Sequence, residues 1–377
     1  MAAIPPPKYK RIESNPQQSA IPENAMTVQP SKTRHRLSSK FLPMLAGGNH
    51  HGVVTILAFI SAISLSPASL SAADIPATPG AAVPKEPVSH ETSPKQPKTP
   101  VVIPQVEKHS YGPHPRQMVY FWKAKSDKPT PVLVFFHGGS WAYGDYRTVS
   151  GMLQETLAAG ISVVSVEYRF LKDATEDGLV PPVKGPMLDC ARALQFVRSK
   201  AKEWNLDKTR VATAGSSAGA CTSLWLAFHD DLADPKSDDP IARESTRVTC
   251  ATADQAQDSL DPKHMGTYGW AAFGTTPDSS KGKRVFDEEG RQRIMPWIKE
   301  YSPYELVSKD DPAIGLYYPN PPDPGNDAKG GLHSTNFGVR LKARCDEHKS
   351  PCELVYPGAP DVKYKTPTEF IIGHLLR

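Results

Sequence analysis

The chain of 377 residues has only five cysteines and no C-x-x-C pair, and none of its 12 histidines stands with a cysteine at metal-ligand spacing. Zinc ribbons and thioredoxin-like redox motifs are thereby excluded; neither a metal nor a cofactor is expected. Charge of one sign is also scarce, with 44 Lys and Arg against 40 Asp and Glu and a net charge of +4. Much of that small excess lies in a proline-rich tail, so no nucleic-acid partner is expected. Apolar residues make up 39%, little for one large core, while prolines number 38 and crowd into the first third. The apolar run Val53–Leu65 falls short of the about 20 residues that a membrane helix needs.

What that first third does contain resembles an export signal. Lys32, Arg34, Arg36 and Lys40 form a basic region ahead of Val53–Leu65, and Leu70–Asp74 ("LSAAD") suits cleavage after Ala72 or Ala73. Translation starting at Met26 would bring the basic region nearer the N-terminus. Residues 1–73 are therefore expected to direct export to a periplasmic or extracellular location, and an uncleaved segment would tether the protein to a membrane. Residues 74–105 carry proline every few positions among Lys, Glu, Ser and Thr, which predicts an extended linker. In an exported chain Cys345 and Cys352 are close enough to bridge a helix end to the next strand. Cys190, Cys221 and Cys250 fall in segments that read as core.

From residue 106 onward the pattern changes. Strands are predicted at Gln117–Ala124, Pro131–Gly139, Ile161–Tyr168, Arg210–Gly215, Val248–Ala253, Ala313–Tyr318 and Cys352–Pro357. Helices are predicted near Val149–Ala159, Val183–Trp204, from Ala218 onward, Asn336–Glu347 and Pro367–Leu376. Continuous apolar strands alternating with helices predict an α/β fold, a mostly parallel sheet covered on both faces. Residues 261–305 are too long for a simple crossover and carry Met265, Tyr268, Trp270, Phe273, Trp297 and Tyr301. A lid over an apolar pocket and a small packed cap both fit that composition.

Within this pattern "GSSAG", Gly215–Gly219, lies between a strand and a helix. Two glycines remove side-chain bulk where strand and helix nearly collide, so Ser217 would stand exposed on a sharp turn. A serine hydroxyl there becomes a nucleophile once a base takes its proton. Donors must also meet the oxyanion that develops on the attacked carbonyl; the N–H of Ala218 is one candidate. "FFHGGSWAYGD" follows the central strand, and the N–H groups of Gly138 and Gly139 are the others, with His137 shaping the loop.

These motifs resemble the α/β-hydrolase fold, in the esterase/lipase group that includes hormone-sensitive-lipase-like and feruloyl-esterase-like enzymes. "HGGSW" resembles that group's oxyanion motif, "VEYRF" its strand-end signature, "GSSAG" its nucleophile elbow, and Asp189 lies on the matching helix. The resemblance implies a serine esterase acting on acyl or acetyl esters, with a small-molecule or carbohydrate ester as substrate. The acid should follow the strand Ala313–Tyr318, where Asp323 is the first candidate and Asp327 the next. The histidine should follow the last strand, yet "YPGAPDVKYKTP" contains none and Asp361 stands in its place. His333, which opens the next-to-last helix, is the better candidate base; His374 is expected at the far end of the final helix, and His348 is expected in solvent. Two readings follow: an esterase with a displaced base, or a catalytically impaired binder that keeps the fold. A structural or surface-interaction protein using the linker as a spacer is a third.

Overall fold

The computed structural model describes residues 105–265, 267–274, 288–325 and 331–377. The predicted export segment, the linker as far as residue 104 and Asp327 lie outside the described residues.

The strands are β1 (Glu107–Ser110), β2 (Met118–Trp122), β3 (Thr130–Phe136), β4 (Ser162–Val166), β5 (Leu206–Ser216), β6 (Cys250–Asp254), β7 (Ala313–Tyr317) and β8 (Cys352–Val355). They form one sheet in the order β1-β2-β4-β3-β5-β6-β7-β8. β1, β2 and β4 pair antiparallel, and every pair from β4–β3 to β7–β8 is parallel. The apolar, β-branched runs of β3 and β4 explain their central place, since every residue of both strands is buried. β1, Glu-Lys-His-Ser, has no apolar alternation to predict it, and at the sheet edge it needs little.

Among the described residues the helices are α1 (Ser150–Ala158), α2 (Leu171–Glu176), α3 (Lys184–Ser199), α4 (Ala201–Trp204), α5 (Ala218–Phe228), α6 (Pro262–Met265), α7 (Thr267–Ala272), α8 (Glu288–Arg293), α9 (Met295–Tyr301), α10 (Pro303–Leu306), α11 (Thr335–His348) and α12 (Pro367–Leu375). One core gathers α3, α5 and one face of β2–β5; a second gathers α1, α12 and the opposite face. The helix expected over Val183–Trp204 is broken at Lys200, whose N–H returns to the carbonyls of Phe196 and Val197. The break lets Trp204 turn inward and stack on Phe121, with ring centroids 4.4 Å apart.

The region 261–305 joins the first core through Phe273, Ile294, Ile298 and Tyr301. Burying side chains of this size stabilises by about 1.5–3 kcal/mol each. Trp225 on α5, fully buried, donates its Nε1–H to the Glu300 carbonyl at 2.8 Å. Arg291 closes on the buried carboxylate of Asp261 with Nε and Nη2 at 2.9 and 2.6 Å. All five cysteines are free thiols: Cys190, Cys221, Cys250 and Cys345 are buried. The Cys345 thiol beside it, together with burial, holds the Cys352 thiol well above its usual range.

The strand-end segment after β4 is tied by polar groups. Buried Asp189 accepts the Arg169 N–H at 2.9 Å, its Nη2–H at 2.7 Å and the Gln117 amide at 2.8 Å. Glu167 accepts the Tyr146 N–H and the Arg116 guanidinium. Tyr168 donates its hydroxyl to the His137 carbonyl at 2.5 Å and stacks on the His137 ring. His137 itself is fully buried, and its Nδ1–H donates to the Gly138 carbonyl at 2.7 Å. Burial lowers its pKa from 6.5 to about 4, so the ring is neutral and shapes the loop.

β5 passes into α5 with almost no room. A Cβ on Gly219 would lie 2.1 Å from the Phe136 carbonyl oxygen, and one on Gly215 would lie 2.3 Å from the Gly219 backbone. Gly219→Ala should therefore push α5 off β3; a thermal melt is expected to show a loss of several degrees or no folded protein, and an unchanged melt would contradict this packing. His137 makes a second prediction, with a definite sign. Between pH 6.5 and about 4 the unfolded chain takes up a proton at this ring that the folded chain does not. Its contribution is therefore complete above pH 6.5 and is lost as pH falls toward 4. Melts across that window should show a steeper decline for the wild type than for His137→Gln; parallel declines would contradict it.

Candidate active site

Ser217 sits between β5 and α5 with φ +50° and ψ −119°. Backbone of this kind costs on the order of 1–3 kcal/mol and persists only when its surroundings hold it. Two hydrogen bonds do so here: the Ser217 N–H donates to the Asp254 carbonyl at 2.9 Å, and the Ser217 carbonyl accepts the Cys221 N–H at 2.9 Å. The hydroxyl is left facing the end of the sheet where the loops after β3, β6 and β7 meet.

His333 reaches it from the loop after β7. A 3-10 turn, Gly331–His333, precedes α11, and Ser334 caps the helix by accepting the Asn336 N–H. This turn places His333 Nε2 2.9 Å from Ser217 Oγ. With the ring proton on Nδ1, the serine hydroxyl donates to Nε2. His333 itself is exposed. His374 lies elsewhere: its Nδ1 bonds the Phe370 carbonyl, and its ring stacks on Phe370. Asp361 is exposed in the loop after β8, with φ +52°, and makes no side-chain hydrogen bond among the described residues.

The loop after β3 lies over the elbow. Gly139, Ser140 and Trp141 are successive left-handed residues, at φ +106°, +53° and +52°. Trp141 anchors them by donating Nε1–H to Thr222 on α5 at 3.0 Å. Gly138 approaches so closely that a Cβ would lie 2.8 Å from the Ser216 carbonyl oxygen. Among the described residues, the N–H groups of Gly138, Gly139 and Ala218 donate to no acceptor. Three such groups beside a serine hydroxyl can receive a developing negative oxygen, and the start of α5 adds its positive dipole end.

Asp323 shares a cavity of about 470 Å³ with His333, bounded by Asn320–Asp323 and His333–Thr335. Asn336 holds the Asp323 backbone, accepting its N–H at 3.0 Å and donating to its carbonyl at 2.9 Å. No carboxylate among the described residues hydrogen-bonds the His333 ring. Asp254 ends β6 directly opposite Ser216 of the elbow. Burial pushes its carboxyl up, against the Gln255 amide and the charge of His333. A second cavity of about 370 Å³ lies behind the elbow, lined by Ser216, Asp254, Glu155 and Thr366 among others, without Ser217. Sequence reasoning passed over Asp254 and the segment after it, because "DQAQD" has neither periodicity nor a motif.

Comparison with known proteins agrees with this architecture. The BD-FAE family model matches residues 119–318, more than half of the chain, and ends short of Asp323 and His333. The esterase LipC of Mycobacterium tuberculosis is 32% identical over 212 residues, 54% of this chain and 47% of LipC. An arylesterase of Saccharolobus solfataricus is 35% identical over 102 residues, 25% of this chain and 30% of that enzyme. The chain thus spans half or less of the length of these curated relatives. Among solved structures, a truncated carbohydrate esterase from gut microbiota superposes with a TM-score of 0.53 at 18% identity, covering 72% of this chain and 95% of that one. Esterase Est2 of Thermogutta terrifontis gives 0.51 at 19%, covering 67% and 81%. At such identities the superpositions speak for the fold alone. The sheet order, the elbow between β5 and α5 and the matched residues together show that the chain belongs to the BD-FAE family and has the α/β-hydrolase fold.

Proposed function

We propose that the protein is a serine hydrolase that cleaves carboxylic esters through Ser217, with His333 as general base. The observation that carries this reading is the 2.9 Å separation of Ser217 Oγ and His333 Nε2. In the first half-reaction Oγ attacks the ester carbonyl carbon while its proton passes to Nε2. The carbonyl oxygen gains negative charge and is met by the N–H groups of Gly138, Gly139 and Ala218. Collapse of the tetrahedral intermediate breaks the bond to the alcohol, which leaves with the proton from Nε2, and the acyl group stays on Oγ. Water then repeats the sequence at the same base and releases the carboxylic acid.

Asp323 acts in this scheme as a charge across the cavity it shares with His333, without a hydrogen bond to the ring. That cavity combines polar side chains with two prolines and lies beside the base, where the alcohol part of the ester would leave. Its character favours a hydroxylated alcohol, so short acyl esters of carbohydrate are the substrates proposed. The esterase relatives support ester hydrolysis without fixing the alcohol. Export is proposed from the sequence of residues 1–73, and cell fractionation checks it.

Hydrolysis of an acetylated sugar and of p-nitrophenyl acetate by the full chain tests the reaction. Ser217→Ala and His333→Ala should each lower kcat by at least about 10³-fold. Asp323→Asn should cost no more than about tenfold, because it breaks no hydrogen bond to the ring. Turnover that survives His333→Ala would sink the assignment of the base, and no turnover by the wild type would sink the enzyme reading.

A further inference from the structure

The segment leaving β6 touches both halves of the candidate dyad. Asp254 receives the Ser217 N–H on its carbonyl at 2.9 Å. Gln255 turns the chain at φ +56° and is pinned by its N–H to the Tyr317 carbonyl at 2.8 Å. Ala256 is held by the Tyr318 hydroxyl, which donates to its carbonyl at 2.8 Å. Gln257, only 3% exposed, then donates from Nε2 to the Leu332 carbonyl at 2.5 Å, and Leu332 is the residue before His333. Fully buried Asp258 accepts the Arg340 Nε–H at 2.6 Å and its Nη2–H, and Arg340 lies on α11, the helix that His333 precedes.

We propose that Gln257 is a positioning residue for His333, fixing the turn that carries the base through the same short strut that fixes the nucleophile. The route from Ser217 to His333 is one backbone hydrogen bond, three peptide links, one side chain and one carbonyl. It does not pass through a carboxylate on the imidazole. Among the described residues no acid hydrogen-bonds the ring, and the contacts that reach His333 besides Ser217 run through the backbone beside it. Gln257 holds that backbone just before His333, and the Asp258–Arg340 pair holds α11 beyond. Only a donor serves at position 257, because the partner is a carbonyl: Met keeps the length and loses the bond, whereas an ionised Glu faces the carbonyl with a like charge.

The inference rests on reading His333 as the base, so its test has one arm that needs turnover and one that does not. In the first, Gln257→Met should lower kcat about 10–100-fold with KM little changed, the size of loss that follows a misplacement of about 1 Å. Gln257→Glu should be at least as impaired, which also serves if the Met variant folds poorly. In the second arm, the 15N signals of His333, assigned with His333→Gln, are recorded at one pH in the full chain. Ser217→Ala should move the Nε2 signal, and should no longer move it when combined with Gln257→Met. Wild-type kcat together with an unchanged response to Ser217→Ala in the Met background would overturn the proposal. If the wild type neither turns over esters nor responds to Ser217→Ala in this signal, the esterase reading falls and takes this inference with it. If turnover alone is missing, the Nε2 response decides the positional claim by itself.

Discussion

The tight crossing of β5 and α5 at the Phe136 carbonyl is the constraint on which the rest of the site depends. Only residues without a Cβ fit at 215 and 219, and their absence of bulk is what lets Ser217 occupy its strained turn. The same crossing lays the loop after β3 against Ser216, with Gly138 in close approach to its carbonyl. Close packing builds this half of the site, and the Trp141–Thr222 and Tyr168–His137 hydrogen bonds anchor its loop. That is why it occurs as a recognisable string of glycines in the sequence.

The base half is built differently. In the family pattern the histidine follows the last strand, and here that loop carries exposed Asp361. The imidazole beside Ser217 comes instead from the turn before α11, one strand earlier in the sheet. Such a turn is open to solvent, and no carboxylate among the described residues hydrogen-bonds its imidazole. Its position is set through the backbone by Gln257 and by the ion pair of Asp258 with Arg340. The proposed base, held in this way, needs a stiff link to the proposed nucleophile, and the carbonyl of Asp254 supplies its other end.

Legibility followed the range of the interactions. Local signals placed the strands from β2 to β8 and the glycines of the elbow, because apolar runs and close approach leave marks within a few residues. The single helix read across Val183–Trp204 was too long, since the gain from stacking Trp204 on Phe121 comes from a strand some 80 residues away, about a domain's reach in sequence terms. β1 was missed for want of apolar alternation. For the base, the sequence favours His333 over His374, which it places at the far end of the final helix, and the structure puts His333 Nε2 beside Ser217 and His374 against Phe370. Gln257 left no mark at all: a buried amide that reaches a carbonyl 75 residues onward has no local pattern.

If Ser217 and His333 act as one unit, the pH dependence of Ser217 phosphonylation reports it. An organophosphonate reacts once at an activated serine, so its rate reports the nucleophile and base without substrate release. The wild-type rate should fall on acidification, because a protonated imidazole cannot accept the serine proton. His333→Ala should be slow at every pH, with that acid limb gone. A wild-type profile retained in His333→Ala would show that a group other than His333 activates Ser217.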